Sequence, residues 1–146
     1  VRPAGTPAAE FFHYKWSDTY SRLNALVDAA IPDRFDGYLF EYRNPKTEGP
    51  TMLTIQCALS LLRPGHETAA HRHTSTVIYH AFRGRGSSFI GEERFDWEAG
   101  DSFVVPLWHP HRHSNRAASE EAILFSMSDA PVLKSLGLYR EEPVGQ

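Results

Sequence analysis

Apolar residues recur along the chain with one spacing before residue 38 and with another spacing after it. Within residues 17–30 they lie three or four positions apart, which predicts an amphipathic helix with one face packed on a larger body. The residues of this stripe are Tyr20, Leu23, Leu26 and Val27. Ser17 is the predicted N-cap, and Pro32 ends the segment because the residue before a proline avoids the helical conformation.

After residue 38 the pattern changes to short β-type runs separated by turn residues. Strands are predicted at residues 38–42, 51–62, 76–82, 87–90, 93–97, 103–106 and 122–127. In the second run, Leu53, Ile55, Cys57, Leu59 and Leu61 alternate with other residues and predict a half-buried strand. A short helix is predicted at residues 131–136, with Asp129 as its N-cap and Gly137 as its stop. Seven or eight such strands predict an all-β sandwich or barrel.

Composition narrows the class of protein. The chain has 146 residues, of which 41% are hydrophobic, so it fits one domain with a core of its own. The net charge of -3 argues against nucleic acid as the main partner. No apolar run approaches the roughly 18 residues of a membrane span. The single cysteine, Cys57, excludes an internal disulfide framework and a cysteine-rich zinc site.

The beginning of the chain indicates a piece of a longer polypeptide. It starts with Val1 and continues through a stretch rich in proline, alanine and glycine. We expect residues 1–14 to be a linker or a trimmed end. Residues 15–37 are predicted to form a helix and a connection that pack on the barrel, and residues 38–146 the barrel with its C-terminal tail.

Histidines are the candidate chemistry, since seven of the eight lie between His66 and His113. In an extended segment, residues two apart point to the same side, so His71 and His73 can reach one metal ion. A third ligand must come from His109, His111 or His113, which form a second set with the same spacing. Three neutral imidazoles would hold a divalent transition metal and leave positions open for substrate. The alternative is that these are ordinary surface or core histidines.

The positions of these histidines resemble the two motifs of the cupin superfamily. The first motif is matched by Gly65, His71, His73 and Gly84, and the second by Gly100, Pro106, His111 and Asn115. The resemblance implies a double-stranded β-helix, or jelly-roll barrel, with an N-terminal helix and a short C-terminal helix. It also implies His111 as the third ligand. The cupin glutamate ligand has no counterpart, so the resemblance implies an all-histidine site.

Further segments resemble the gentisate 1,2-dioxygenase family, whose relatives cleave salicylate and 1-hydroxy-2-naphthoate. They are residues 42–47 (YRNPKT), 62–65 (LRPG), 70–74 (AHRHT), 100–106 (GDSFVVP) and 138–142 (LYREE). The family is usually a bicupin, and this chain is similar to its C-terminal cupin. The resemblance implies an Fe(II)-dependent enzyme that opens a hydroxylated aromatic carboxylate with O2. It further implies an upstream cupin domain, a homo-oligomer and a cytoplasmic location.

Four more residues are candidates for handling the substrate. His113 is the candidate acid/base, and Tyr79 is expected to face the same interior as His73 and to donate a hydrogen bond. Arg83 is a candidate for binding a carboxylate at the barrel mouth, and Trp108 for walling an aromatic pocket. The alternative is a purely structural role, in which Tyr79 and Trp108 are core aromatics and Arg83 is a solvated surface charge. His13, His66, His80 and His109 are expected to be bystanders.

Two positions favour an alternative function. Tyr79 stands where the family's catalytic cupin has an arginine, and Ser60 stands where it has a glutamine. The alternatives are a non-catalytic metal-binding or structural cupin that mediates oligomerisation, and a free-standing metal cupin with another small ligand.

Overall fold

The computed structural model describes residues 12–145, and residues 1–11 of the expected linker lie outside it. Within this range the chain forms two helices and ten strands. The helices are α1 (Trp16–Ala29) and α2 (Ala130–Ser135). The strands are β1 (Tyr38–Glu41), β2 (Gln56–Leu62), β3 (His71–His73), β4 (Val77–Arg83), β5 (Arg85–Ile90), β6 (Glu93–Glu98), β7 (Ser102–Val105), β8 (His111–Ser114), β9 (Ala122–Ser128) and β10 (Glu141–Pro143).

The strands form two antiparallel sheets of five, which confirms the predicted all-β class. The first sheet has the order β1-β2-β9-β4-β7 and the second has the order β10-β3-β8-β5-β6. The predicted hairpin at Gly91 joins β5 to β6, with Ile90 opposite Glu93. Because neighbours along the chain often lie in different sheets, residues far apart in sequence meet between the two layers.

The core lies between the sheets and is built from their inward-facing residues. Its buried members are Leu62, Val77, Tyr79, Ala81, Trp97, Val105, Ala122 and Leu124. Alternate positions of β4 supply three of them, as the period of a strand requires. Trp97 of the second sheet and Val105 of the first bring the two layers together at one end of this core.

Helix α1 covers part of the outer face of the first sheet. Leu23 is fully buried and packs in one cluster with Leu59, Leu61 and Ile123. The outer faces of β2 and β9 are therefore buried as well as their inner faces, and residues 58–62 are all buried. Strand β2 is therefore buried on both faces, and the prediction of a half-buried strand was incomplete for it.

Strand β2 is shorter than predicted. It begins at Gln56, and Leu53 is 90% exposed rather than part of the buried face. The residues before it turn instead, because the Met52 N–H donates to the Ile55 carbonyl and the Thr51 hydroxyl donates to the Tyr42 carbonyl. Local turn bonds thus override the alternation that the sequence shows.

The predicted helix caps differ from the structure in detail. Lys15 occupies the N-cap position of α1, so Ser17 lies inside the first turn and the N-cap prediction was wrong. Asp129 does precede α2, but its carboxylate accepts a 2.9 Å hydrogen bond from the backbone N–H of Thr76 instead of capping the helix. Neither described helix is long and apolar enough to cross a membrane.

The packing of α1 generates a stability prediction. We expect Leu23→Ala to lower the free energy of unfolding by about 2–5 kcal/mol, because it leaves a cavity in a buried apolar cluster. Chemical denaturation measures this change. Arg22→Ala is the control, since Arg22 is exposed on the same helix. Equal stability of the two variants would contradict the role given to Leu23.

Candidate metal centre

Three histidines converge where strands β3 and β8 pair. His71 lies directly opposite His111 in this antiparallel ladder, and His73 lies two residues further along β3. All three are buried, while Arg72 between them is only partly buried. One ring nitrogen of each histidine lies within 4.8 Å of the others. Strand periodicity places His71 and His73 on one side, and pairing with β8 adds the third ring.

The outer nitrogen of each ring is already hydrogen bonded. The Nδ1 atom of His71 lies 2.8 Å from Glu141 Oε1, that of His73 lies 2.9 Å from the Ser75 carbonyl, and that of His111 lies 3.0 Å from the His109 carbonyl. Carbonyl and carboxylate oxygens only accept, so Nδ1 of His71 and of His111 carries the proton and their Nε2 atoms keep the lone pair. The Nδ1 of His73 also lies 2.9 Å from the Ser75 hydroxyl, which can accept its hydrogen or donate to it. Metal-binding histidines typically have such outer partners, which fix the ring and its tautomer.

The inner nitrogens provide the test of whether a metal fits here. The Nε2 atoms of His71 and His111 are buried and have no hydrogen-bond partner. A buried polar atom without a partner costs free energy, and a bound cation would remove that cost. Imidazole nitrogens suit iron, zinc, copper and nickel, so the donor set fits a divalent transition metal.

Burial keeps His73 and His111 neutral, as metal binding requires. Burial, reinforced by the neighbouring His71, lowers the pKa of His111 to about 2. Burial also lowers the pKa of His73. Both rings therefore remain unprotonated near neutral pH and can offer lone pairs without first losing a proton.

A cavity of about 120 Å³ opens beside His71 and His73. Its wall combines apolar side chains with two tyrosines, three carboxylates and one lysine: Tyr79, Tyr139, Asp36, Glu41, Glu141 and Lys134. Burial raises the pKa of Asp36 to about 6, although His71 opposes this shift. The Phe35 ring stacks on His71 with centroids 4.6 Å apart, so the connection after α1 covers one side of the centre.

Tyr79 lies in this cavity wall, on the side that its parity with Val77 predicts. Its ring is 4.7 Å from that of His113, measured between centroids, and the residue is almost fully buried. Burial raises the pKa of Tyr79 well above its usual value, so the hydroxyl keeps its proton. His80 has the opposite parity, and its Nδ1 lies 2.9 Å from the Ser102 hydroxyl.

His113 lies behind the three-histidine cluster rather than among its members. Its ring centroid is 5.9 Å from that of His111, and its Nδ1 lies 2.7 Å from the Ser88 hydroxyl. The Trp97 N–H donates to that same hydroxyl over 2.9 Å. His113 Nε2 is buried without a hydrogen-bond partner. Burial lowers the pKa of His113 to about 3, so the ring is neutral near neutral pH.

Arg83 and Trp108 are not brought into the cavity wall. The Arg83 guanidinium pairs with Glu121 at 2.9 Å and lies over the Tyr20 ring of α1. Trp108 adopts a left-handed backbone with a φ of 62°, at the position where the cupin motif has glycine. The backbone N–H of Trp108 donates to the His73 carbonyl over 2.9 Å, and the Arg72 guanidinium lies over the Trp108 ring. Trp108 therefore borders the ligand strand, whereas Arg83 anchors the helix.

Sequence reasoning missed the residues that complete the centre from distant segments. Phe35 and Asp36 come from the connection before β1, and Tyr139 and Glu141 come from the C-terminal tail. Glu141 bonds to a histidine 70 positions away, so no local spacing could have indicated the contact. One of the expected bystanders contributes through its backbone: His109 is exposed, and its carbonyl accepts from His111.

The buried histidines generate a pH prediction for the metal-free protein. The pKa of His113 is lowered in the folded state, so the unfolded chain binds more protons between pH values of about 3 and 6.5. Stability should therefore fall as the pH falls through that window. We expect His113→Gln to flatten this dependence by up to about 1.4 kcal/mol per pH unit.

Urea unfolding at several pH values measures both slopes. Above a pH of about 7 the two slopes should agree, because His113 is then neutral in both states. Parallel curves across the whole acidic window would contradict the assignment.

Comparison with known proteins agrees with this architecture. Residues 58–128 match the cupin domain family. A salicylate 1,2-dioxygenase from Pseudaminobacter salicylatoxidans superposes with a TM-score of 0.83 at 30% identity, over 91% of this chain and 39% of that one. The predicted cupin barrel is thereby confirmed.

Two curated relatives cover nearly the whole chain. A 5-aminosalicylate 1,2-dioxygenase of Comamonas sp. is 40% identical over 88% of this chain and 34% of its own length. A 1-hydroxy-2-naphthoate 1,2-dioxygenase of Nocardioides sp. (strain KP7) is 37% identical over 89% of this chain and 33% of its own length. The chain thus spans about a third of the length of these relatives. The chain is a cupin domain whose homologues are ring-cleaving dioxygenases of the gentisate, salicylate and hydroxynaphthoate type.

Proposed function

We propose that this chain is the C-terminal cupin of an Fe(II)-dependent ring-cleaving dioxygenase that opens a hydroxylated aromatic carboxylate with O2. The observation that carries the proposal is the convergence of three buried histidines whose outer nitrogens are all hydrogen bonded. The relatives are named for reactions on aromatic hydroxy-carboxylates, which supplies the substrate class.

His71, His73 and His111 would hold the metal through their Nε2 atoms. When bound, Fe(II) supplies a Lewis acid for the hydroxy-carboxylate and the one-electron chemistry that O2 requires. Because all three protein ligands are neutral, the ion keeps its full charge for an anionic substrate. The protein's own work is to fix these rings, exclude water and shape the space beside them.

The cavity beside the histidines matches one aromatic ring in size. An apolar cavity of roughly 150 Å³ is known to hold benzene, and this one has about 120 Å³. Tyr79 lines it with a protonated hydroxyl, so we propose that Tyr79 donates a hydrogen bond to a substrate oxygen. Such a donor is fixed in place before substrate arrives, because its ring packs on Phe103 and His113.

We keep His113 as the proposed acid/base group of this site. Ser88 receives the Trp97 N–H and can give its own hydrogen to His113 Nδ1, which places the proton of the neutral ring on Nε2. That nitrogen is buried without a hydrogen-bond partner, and the His113 ring packs against Tyr79, so we propose that His113 acts from behind the cavity wall that Tyr79 lines.

Charge along the cavity makes substrate binding dependent on the metal. Asp36, Glu41 and Glu141 line it, and Lys134 is the single cationic side chain among the described residues of this wall. An anionic carboxylate would meet repulsion here without a compensating ion. We therefore expect gentisate to bind the metal-loaded chain and not the metal-free chain, as measured by calorimetry.

A non-catalytic metal-binding cupin is the second candidate function. It is favoured by Arg83, whose guanidinium is paired with Glu121 beside α1, so that no arginine lines the described cavity wall. Tyr79 also stands where the family's catalytic cupin has an arginine. Under this alternative the domain serves oligomerisation, and catalysis takes place in an upstream cupin. The length of the relatives supports such an upstream domain.

Metal binding and turnover separate these two candidates. The purified chain is loaded anaerobically with Fe(II), and gentisate and O2 are then added while ring opening is followed by absorbance. Ring opening supports the catalytic proposal. Stoichiometric metal without ring opening supports the non-catalytic cupin, and a folded chain without metal rules out both.

The ligand assignment has its own prediction. We expect His111→Ala to lower Fe(II) affinity by more than about 100-fold, since losing only the outer partner of a ligand already costs 10–100-fold. His109→Ala is the matched control, because its side chain is exposed and its backbone carbonyl, which orients His111, is retained. Unchanged affinity in His111→Ala would show that another histidine is the ligand.

A further inference from the structure

The strand that carries two of the three ligands is weakly held on one side. Strand β3 has three residues, and only His71 pairs with β8. On its other edge, β10 pairs with all three residues of β3. More bonds extend this contact, since Thr74 N–H donates to the Arg140 carbonyl and Val144 N–H donates to the Ala70 carbonyl. The C-terminal tail is therefore the main backbone partner of β3.

The same tail also contacts a ligand side chain. Glu141 Oε1 lies 2.8 Å from His71 Nδ1, and the Tyr139 hydroxyl donates to Glu141 Oε2 over 3.0 Å. Both oxygens of the Glu141 carboxylate are thus hydrogen bonded. The bond from the Tyr139 hydroxyl orients the carboxylate that accepts from His71. The side chain of His71 is only 2% exposed, so few other groups can replace this contact.

We propose that the C-terminal strand β10 is a working part of the metal centre, in which Glu141 positions His71 and metal binding and docking of the tail strengthen each other. This inference rests on the proposed metal site and goes beyond it. A carboxylate that accepts the Nδ1 hydrogen increases the basicity of Nε2 and fixes the ring plane. By linkage, whatever factor the docked tail adds to metal affinity, the metal adds to docking of the tail.

Glu142 offers a matched control one residue away. It carries the same charge on the same strand, but its partner is Arg72, whose Nε donates to it over 2.7 Å. This pair is partly exposed and faces away from the three rings. Neutralising Glu142 therefore tests the loss of a tail charge without touching a ligand.

The experiment measures Fe(II) affinity anaerobically, by competition with a chromophoric chelator, for the wild-type chain, Glu141→Gln and Glu142→Gln. We expect Glu141→Gln to weaken binding by about 10–100-fold. Glu142→Gln should stay within about fivefold of wild type. Circular dichroism and unfolding midpoints establish that both variants are folded.

Hydrogen exchange supplies the second readout. In the wild-type chain, Fe(II) should slow exchange of the backbone amides of residues 139–142, and Glu141→Gln should lose most of that protection. Wild-type affinity in Glu141→Gln, or an equal loss in both variants, would overturn the proposal while leaving the three-histidine site intact. A wild-type chain that binds no Fe(II) would overturn the metal site together with this inference.

Discussion

The single pairing of His71 with His111 is the constraint on which the metal centre depends. It joins two short strands from distant parts of the chain and sets three imidazoles side by side in a buried space. Burial removes water from these rings, so every nitrogen needs another partner. The outer nitrogens find carbonyls and a carboxylate, whereas the inner ones of His71 and His111 do not. These two buried nitrogens without a partner cost free energy, and a bound metal ion would remove that cost.

Burial also disfavours charge on several side chains around the centre. It lowers the pKa values of His73, His111 and His113 and raises those of Asp36 and Tyr79, so that these five groups favour their neutral forms, whereas the hydrogen bond from His71 lowers the pKa of Glu141 and favours its charged form. A cavity lined by carboxylates beside neutral imidazoles attracts cations before it attracts anions. Under the proposed function, this charge distribution predicts that the metal binds first and an anionic aromatic substrate second.

The fold of the chain agrees with that of the dioxygenases, but the cavity wall differs from what their function suggests. The cupin fold agrees with its relatives, while the cavity wall does not include an arginine among the described residues. Arg83, the nearest candidate along the chain, instead anchors α1 through Glu121 and Tyr20. The three-histidine cluster thus suits a metal ion, and under the proposed function a carboxylate substrate would depend on that ion more than on the side chains of the wall.

The sequence alone determined the all-β class, most strand positions, and the shared side of His71 and His73, because these follow from a period of two residues. Resemblance added the cupin barrel and the choice of His111. Only the tertiary structure decided the rest. Leu53 lies outside strand β2 because turn hydrogen bonds replace the strand ladder there. Arg83 lies outside the cavity wall because its guanidinium packs over the Tyr20 ring of α1. Glu141, Asp36 and Phe35 joined the centre because sheet pairing and the connection after α1 brought them there. Such contacts join residues far apart in the chain, and no local pattern encodes them.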